Sequence, residues 1–415
     1  MKKIVSIIGT RPQYIKIKPI YLAFNKINKN NNQIKHVIIN TSQHYDYNMS
    51  QALFKDLLIE NIDYHLDIDY KLITNPGEQT ALMMKKIEKL ILKINPDIVM
   101  LYGDTNSTLA GAIVCSKLKI PIAHIEAGLR SYNKFMPEEI NRILTDHIST
   151  FLFCPTKNSV INLKKEGFKN LIPTLITLKK INKLNLKIYN INNPIVINVG
   201  DIMYDLLNIV LDKIKKNYNK IDILKKLDIL SLDYILLTIH RQENTEDINT
   251  LIDLLNFVKE VSKKYNKKVI FPIHPRTSKI INEILKSSKE LYKIMDNFII
   301  IEPVKYTDNI FLILNAFMVL TDSGGLQKEA YLLKVPTVTL RNETEWIETL
   351  KNNFNILYKD FIYKFNMNHP LISKREDLLK EIMLKRMGIN EFGDTKASYK
   401  IIKLLLNYIT KKLPY

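Results

Sequence analysis

Phe317-Met-Val-Leu-Thr321, followed by Asp322-Ser-Gly-Gly-Leu-Gln-Lys-Glu329, is the stretch whose reading decides the fold. An apolar run ends in Ser323-Gly324-Gly325 and passes into a helix-like segment, Leu326 to Leu333. A strand, a glycine turn and a helix in that order present free backbone N–H groups at the positive end of a helix dipole, where a phosphate or diphosphate binds. A tight strand-to-helix turn without a ligand has the same sequence, so the rest of the chain has to decide. Glycine is scarce here, 11 in 415 residues, which makes two adjacent ones informative.

Outward from this turn, short apolar runs alternate with helical patterns. Candidate strands are Lys3–Ile8, His36–Asn40, Asp97–Tyr102, Pro121–Ile125 and Phe151–Cys154. A second set is Ile195–Val199, Tyr234–Ile239, Lys268–Ile273, Phe298–Ile301, Phe317–Thr321 and Thr337–Leu340. Apolar runs without alternation predict strands buried on both faces, hence parallel sheets covered by helices. A chain of this length is too long for one ordinary core. The expectation is α/β, with two doubly wound Rossmann-like domains facing a cleft. Residues 1–190 form the first and 195–390 the second, with the boundary in the Lys/Asn/Ile-rich segment 168–193. A C-terminal helix, 394–415, is expected to pack back on the first domain.

Hydrophobic content of 46% and charged content of 25% suit a globular protein, and the net charge is +19. That excess is spread as Lys among Ile, Leu and Asn, as in 179–187, and no nucleic-acid module signature accompanies it. It favours an anionic small molecule over nucleic acid. Cys115 and Cys154, the two cysteines, lack metal-ligand spacing, as in a reduced protein. The N-terminal apolar run is too short for a signal peptide, and no stretch approaches a membrane span. A cytoplasmic protein with no membrane partner is expected.

Ligands of open α/β sheets bind outside the carboxyl ends of the strands. There the sequence places Gly9-Thr-Arg-Pro-Gln-Tyr-Ile-Lys16, Gly103-Asp104-Thr105 and Glu126-Ala-Gly-Leu-Arg130, then Gly200-Asp201, His240-Arg-Gln-Glu-Asn244, His274-Pro-Arg276 and Ser323-Gly324-Gly325. The first domain therefore supplies carboxylates, Asp104, Glu126, Glu138 and Glu139, and the second supplies imidazoles and amides. Carboxylates near a sugar can move protons if burial separates their pKa values. Each residue also has a structural reading. Asp104-Thr105 could be a helix cap, Glu138 after Pro137 could serve a helix dipole, and Arg11 and Lys16 could be solvated. Glu126, ending a buried strand, is the costliest to explain without a role. His124 and His147 are expected to pack or hydrogen-bond, and His36, His65 and His369 to be structural. His240 and His274 follow strands at the ligand-binding edge.

Gly9-Thr-Arg-Pro-Gln-Tyr-Ile-Lys16, Gly103-Asp-Thr105, His124-Ile-Glu-Ala-Gly-Leu-Arg130, Met136-Pro-Glu-Glu-Ile-Asn-Arg142, Val199-Gly-Asp201 and Thr321–Glu329 together resemble the non-hydrolysing UDP-N-acetylglucosamine 2-epimerases, collinearly from about residue 3 to 350. The resemblance implies a GT-B type fold, a homodimer and no metal or nicotinamide cofactor. It implies inversion at C2 by anti elimination of UDP to a 2-acetamidoglucal and re-addition, for surface polysaccharide synthesis. Asp104, Glu126 and Glu138 match the family's catalytic carboxylates, and His240 a histidine that assists the departing UDP. Arg11, Lys16, His274, Ser323, Gly324 and Gly325 match diphosphate or nucleotide contacts. Glu329 matches the ribose contact and Arg142 a substrate-side arginine.

Two departures, Gln13-Tyr14 and Glu343-Thr-Glu-Trp346, resemble a subgroup whose members include epimerases of UDP-2,3-diacetamido-2,3-dideoxyglucuronate. Gln43-His44 matches part of a second UDP-GlcNAc site that activates some members, whereas Tyr45-Asp46 and Gly77-Glu-Gln-Thr80 replace its basic residues. A GT-B glycosyltransferase is the alternative sharing fold and phosphate cradle, but the first-domain carboxylates favour the epimerase. A basic nucleic-acid-binding protein is the third reading.

Overall fold

Residues 4–8 have no solvent exposure at all, and neither do residues 98–102. Burial on both faces is the mark of parallel strands joined by crossovers, whose helices cover the sheet on either side. The computed structural model describes residues 1–28, 34–43, 62–70, 73, 75–287, 293–385, 387, 388 and 390–410. It divides into two units, Met1–Asn208 with Gly388–Tyr415, and Ile209–Met387.

The first unit carries β1 (Lys2–Ile8), β2 (Ile34–Asn40), β3 (Tyr64–His65), β4 (Ile98–Tyr102), β5 (Ile122–Ile125), β6 (Phe151–Cys154), β7 (Asn170–Ile172) and β8 (Ile195–Asn198). They form one sheet in the order β3-β2-β1-β4-β5-β6-β8-β7, and every pair is parallel. The second unit carries β9 (Tyr234–Thr238), β10 (Lys268–Pro272), β11 (Phe298–Ile301), β12 (Met318–Thr321), β13 (Thr337–Thr339) and β14 (Asn355–Leu357), in the order β11-β10-β9-β12-β13-β14. This sheet is parallel too. The α/β, doubly wound architecture expected from the sequence is therefore the one observed in both units. In each, strand order reverses in mid-sheet, at β1/β4 and at β9/β12, with a further inversion at the β8-β7 edge of the first; the mid-sheet reversals are where open sheets leave a crevice at their carboxyl edge.

The expected domain boundary requires correction. Ile195–Asn198 was assigned to the second domain, yet it pairs with β6 on one side and β7 on the other. The segment expected to be a connector supplies β7, then a helix, Leu178–Lys183, capped by the Thr177 side chain. Its Ile172, Ile176, Ile181 and Leu186 are buried, so it belongs to the first core. The chain leaves the first unit inside the continuous helix Ile202–Asn217. A helical period carries no mark of such a crossing, which is why sequence misplaces it. The short edge strands β3, β7 and β14 were also unforeseen, being too brief for an apolar run.

After the second unit the chain returns to the first. The helix Ala397–Thr410 lies against the helix Arg11–Asn28 and buries Ile401, Ile402, Leu404, Leu405 and Ile409. Asp205, on the outgoing helix, caps its start by accepting from Ala397 N at 3.1 Å, Ser398 N at 2.7 Å and the Ser398 hydroxyl. Burial is the largest influence on the Asp205 carboxyl and raises it, whereas the Ser398 and Ala397 donors lower it. The balance stands at about 6, above the ordinary 3.8. A raised native pKa means the native state holds the proton longer than the unfolded chain. This contribution to stability is therefore fully present below about pH 4 and lost as pH rises to about 6. Unfolding midpoints measured across that window should show wild-type stability falling relative to Asp205→Asn, by on the order of 1–3 kcal/mol. Parallel pH profiles for the two proteins would contradict this.

Candidate active site

In the first unit the turn after β1 is tied down from within. Gln13 Oε1 accepts from Gly9 N at 2.8 Å and Thr10 N at 3.2 Å. Its Nε2 donates to the Tyr102 carbonyl at 2.8 Å and to Thr108 Oγ1 at 2.9 Å. Tyr14 is equally buried, with its hydroxyl 3.1 Å from the Gly9 carbonyl and 3.0 Å from Asn40 Oδ1. Gln13 and Tyr14, the residues that set the chain apart in this motif, thus bind the turn to the end of β4 and to β2. Arg11 is half-buried one turn before Lys16 on the same helix.

Lys16 reaches the end of β5, where its Nζ is 2.6 Å from Glu126 Oε2. Burial works to lower the Lys16 pKa, but Glu126, Asp104 and Asp201 outweigh it and raise the value above 10.5. An ammonium held so firmly is a permanent charge among carboxylates. It also explains Gly103. That residue has φ +64°, and a Cβ there would lie 2.9 Å from Lys16 Nζ. Glu126 itself adopts φ +74°, a conformation costing a non-glycine residue roughly 1–3 kcal/mol. Both Glu126 N and Ala127 N donate to the Phe153 carbonyl at 3.1 Å, which holds the turn.

Asp104 is not the helix cap that its position allowed. Thr105 caps the helix Asn106–Lys117 by accepting from Thr108 N, leaving the Asp104 carboxylate to Arg142 NH2, with which it makes a close ion pair. Arg142, on the helix Pro137–His147, also donates to Glu139 Oε2 at 2.7 Å. Glu139 is fully buried and accepts from Ser131 N, Tyr132 N and the Ser131 hydroxyl at 2.9–3.0 Å. Glu138, beside it, is half-exposed on the first turn and makes no ion pair or hydrogen bond among the described residues. The neighbouring acids are thus divided: Glu139 braces the loop 131–132, and Glu138 keeps a carboxylate available.

In the second unit the organising group is Asp322, which is fully buried. Its Oδ2 accepts from His240 N and Arg241 N at 2.9 Å and from Asn244 Nδ2 at 3.1 Å. Its Oδ1 lies 3.3 Å from His240 Nδ1, so the imidazole is oriented with Nε2 left over for chemistry. His274 begins the next crossover, its ring centroid 6.2 Å from that of His240. Ser323 caps the helix Gly324–Leu332. The first N–H groups of such a helix have no intrahelical partner, and here they open at the β9/β12 reversal. Glu329 on this helix is buried and accepts from the Tyr306 hydroxyl at 2.8 Å. Gly324 is required by close approach: a Cβ there would sit 2.3 Å from Glu345 Oε1 and 3.3 Å from Trp346 Nε1. Glu345 is paired with Arg341 at 2.9 Å and Arg241 at 3.5 Å, while Lys328 Nζ stands 3.9 Å over the Trp346 ring.

The structure therefore brings Lys16, Asp104, Glu126 and Arg142 together at one sheet edge, with Glu138 on the adjoining helix. It gathers His240, His274, Ser323, Gly324 and Gly325 at the other, with Glu329 further along their helix. Sequence reasoning counted Glu139 among the edge carboxylates without its bracing role, and missed Asp322 and Gln13 as site residues. Asp322 alone carried a signal, an acid closing an apolar strand. Gln43 accepts from Ser107 N at 3.0 Å and the Ser107 hydroxyl at 2.7 Å, whereas His44, Tyr45 and Asp46 lie outside the described residues. Gly77–Thr80 form the first turn of the helix Pro76–Ile94.

A family model described as UDP-N-acetylglucosamine 2-epimerase matches residues 26–406. The chain belongs to this epimerase family. It is 41% identical to the UDP-N-acetylglucosamine 2-epimerase of Methanocaldococcus jannaschii over 97% of its own length and 98% of the relative's. It is 40% identical to the UDP-2,3-diacetamido-2,3-dideoxy-D-glucuronate 2-epimerase of Pseudomonas aeruginosa, over 86% and 88%. The crystal structure of the M. jannaschii UDP-GlcNAc 2-epimerase in complex with UDP-GlcNAc and UDP superposes with TM-score 0.76 at 38% identity, covering 97% of this chain and 99% of that one. The match runs through both units, as a GT-B type fold requires. No helix among the described residues is long and apolar enough to cross a membrane.

Removing Arg142 while leaving Glu139 would strand a buried carboxylate. Arg142→Met should lower stability by about 3 kcal/mol or more in denaturant titration. Adding Glu139→Gln should recover part of that loss, and a second substitution that only adds to it would show that the charge is not the cause.

Proposed function

We propose that the protein inverts C2 of UDP-N-acetylglucosamine, interconverting it with UDP-N-acetylmannosamine by elimination and re-addition of UDP. The observation that carries this reading is the grouping of Lys16, Asp104, Glu126 and Arg142 at the carboxyl edge of β1, β4 and β5, in a chain of this family.

The C2 proton of a 2-acetamido sugar is not acidic, so it leaves only as the C1–oxygen bond to UDP breaks. One carboxylate of Asp104, Glu126 and Glu138 takes the proton while the electron pair forms the C1–C2 double bond of a 2-acetamidoglucal. Protonation of the opposite face of C2, from another carboxylate of the set, accompanies return of UDP oxygen to C1. Two acids in different environments are needed so that one is a base while the other is an acid. Glu126 beside the Lys16 ammonium, Asp104 beside the Arg142 guanidinium and Glu138, without an ion pair among the described residues, provide such contrasts. Arg142 stands on the substrate side as well. Departing UDP gains negative charge. Positively charged Arg11 and Lys16, the N–H groups at Ser323, Gly324 and Gly325, His274, and His240 backed by Asp322 supply its stabilisation, and Glu329 serves the ribose.

The likeness to the P. aeruginosa relative favours, as a second reading, the same chemistry on a UDP-2,3-diacetamido uronate. A homodimer in the cytoplasm, feeding surface polysaccharide synthesis, completes the proposal.

Incubation with UDP-GlcNAc in heavy water, without an acceptor, should place deuterium at C2 and generate the UDP-manno epimer by NMR. Exchange only with the diacetamido uronate would transfer the substrate to the second reading, and exchange with neither would sink the epimerase. Glu126→Gln should abolish C2 exchange while UDP still binds by calorimetry; full turnover in that variant would remove Glu126 from the chemistry. Gly324→Ala, which pushes on Glu345 and Trp346, should weaken UDP binding by roughly tenfold, about 1.4 kcal/mol. An unchanged Kd would show the turn is not the diphosphate anchor.

A further inference from the structure

His124 lies on β5 two residues before Glu126, is fully buried, and is not among the residues given a catalytic part. Its Nε2 is 2.7 Å from the carbonyl of Gly103, the residue before Asp104. Its Nδ1 is 2.7 Å from Asp146 Oδ1. Asp146 comes from the helix Pro137–His147, and its other oxygen accepts from Gly128 N at 3.1 Å and Arg130 NH1 at 2.8 Å. Arg130 continues to Glu166 with two contacts, Nε to Oε1 at 2.6 Å and NH2 to Oε2 at 2.7 Å.

The protonation of the ring follows from its surroundings. Asp146 accepts from the Arg130 guanidinium and from Gly128 N at one oxygen, which favours its ionised form. Asp146 is therefore a carboxylate, an acceptor at both oxygens. The Gly103 carbonyl can only accept. Either neutral tautomer of His124 would aim a nitrogen lone pair at an oxygen 2.7 Å away. Only an imidazolium donates to both. Cys154 on β6, near Asp146 and Arg130, stays a neutral thiol because burial raises its pKa well above 9, and His147 Nε2 lies 3.1 Å from Glu166 Oε2 at the outer end of the network.

We propose that His124 is a positioning residue, donating from both ring nitrogens, that fixes the turn carrying Asp104 relative to the turn carrying Glu126. One N–H grips the Gly103 carbonyl. The other grips Asp146, which in turn holds Gly128 N and so the strained turn that follows Glu126. The two carboxylates sit on neighbouring strands, β4 and β5, whose pairing sets the strand positions but not the turns beyond them. The inference rests on the epimerase reading for what those carboxylates do, and on geometry alone for the state of the ring.

The test has two arms. In protein labelled with 15N at histidine, both ring nitrogens of His124, identified by their loss in His124→Gln, should carry protons. A neutral tautomer overturns the proposal, whatever the activity. In the second arm, His124→Gln can donate to one partner but turns its carbonyl oxygen toward the other. Its kcat for C2 exchange should fall by roughly 10- to 100-fold, with KM and the Kd for UDP within about twofold of wild type. Wild-type kcat in this variant, or an equal loss in UDP binding, overturns the positioning role. Absence of exchange in the wild type would strike the epimerase reading and leave the nitrogen spectrum to judge the ring.

Discussion

Burial of parallel strands on both faces is the constraint on which the rest of this protein depends. Once residues 4–8 and 98–102 are sealed between helices, their backbone groups are satisfied by neighbouring strands and their side chains can only be apolar or internally bonded. Polar chemistry is then excluded from the sheets and concentrated at their carboxyl edges. Both units obey this rule, the first six strands of the eight-stranded sheet following the same order as the six-stranded one, and in both the residues able to move protons or hold anions appear at the mid-sheet reversal.

The two edges solve different electrostatic problems. In the first unit, buried and half-buried carboxylates are paired with cations placed among them, with Lys16 on Glu126, Arg142 between Asp104 and Glu139, and Arg130 on Asp146. Breaking one member leaves another charge without compensation in a low-dielectric setting, which is far costlier than losing a surface pair. In the second unit a single buried carboxylate, Asp322, gathers two backbone N–H groups, an amide and an imidazole, and the helix after Gly324 supplies positive potential without any side-chain charge. The first edge is suited to moving protons and the second to holding a phosphate, a division already present in which residue types end the strands.

Much of that was legible in one dimension. The α/β class, the strands longer than three residues and the placement of Asp104, Glu126, His240 and Ser323 at strand ends all follow from apolar runs and from what terminates them. The domain limit was not legible, because Ile195–Asn198 reads equally well as the last strand of one sheet or the first of another, and only its pairing with β6 and β7 decides. Nor was the division of labour between Glu138 and Glu139. Adjacent acids on a first helical turn look alike in sequence, but they point about 100° apart around the helix axis, and one meets Arg142 while the other does not.

Local chemistry is therefore what the sequence by itself determined: the strand and helix periods, the glycines where backbone must approach a neighbour, and the inventory of acids, bases and amides at the sheet edges. Partnership is what only the tertiary structure decided. That Lys16 lies on Glu126, that Thr105 rather than Asp104 caps its helix, and that His124 bridges two turns all depend on side chains 3 to more than 100 residues apart meeting within about 3 Å. Periodicity fixes which face a residue occupies, whereas hydrogen-bond partners are set by how strands register and helices cross. Those are properties of the packed chain.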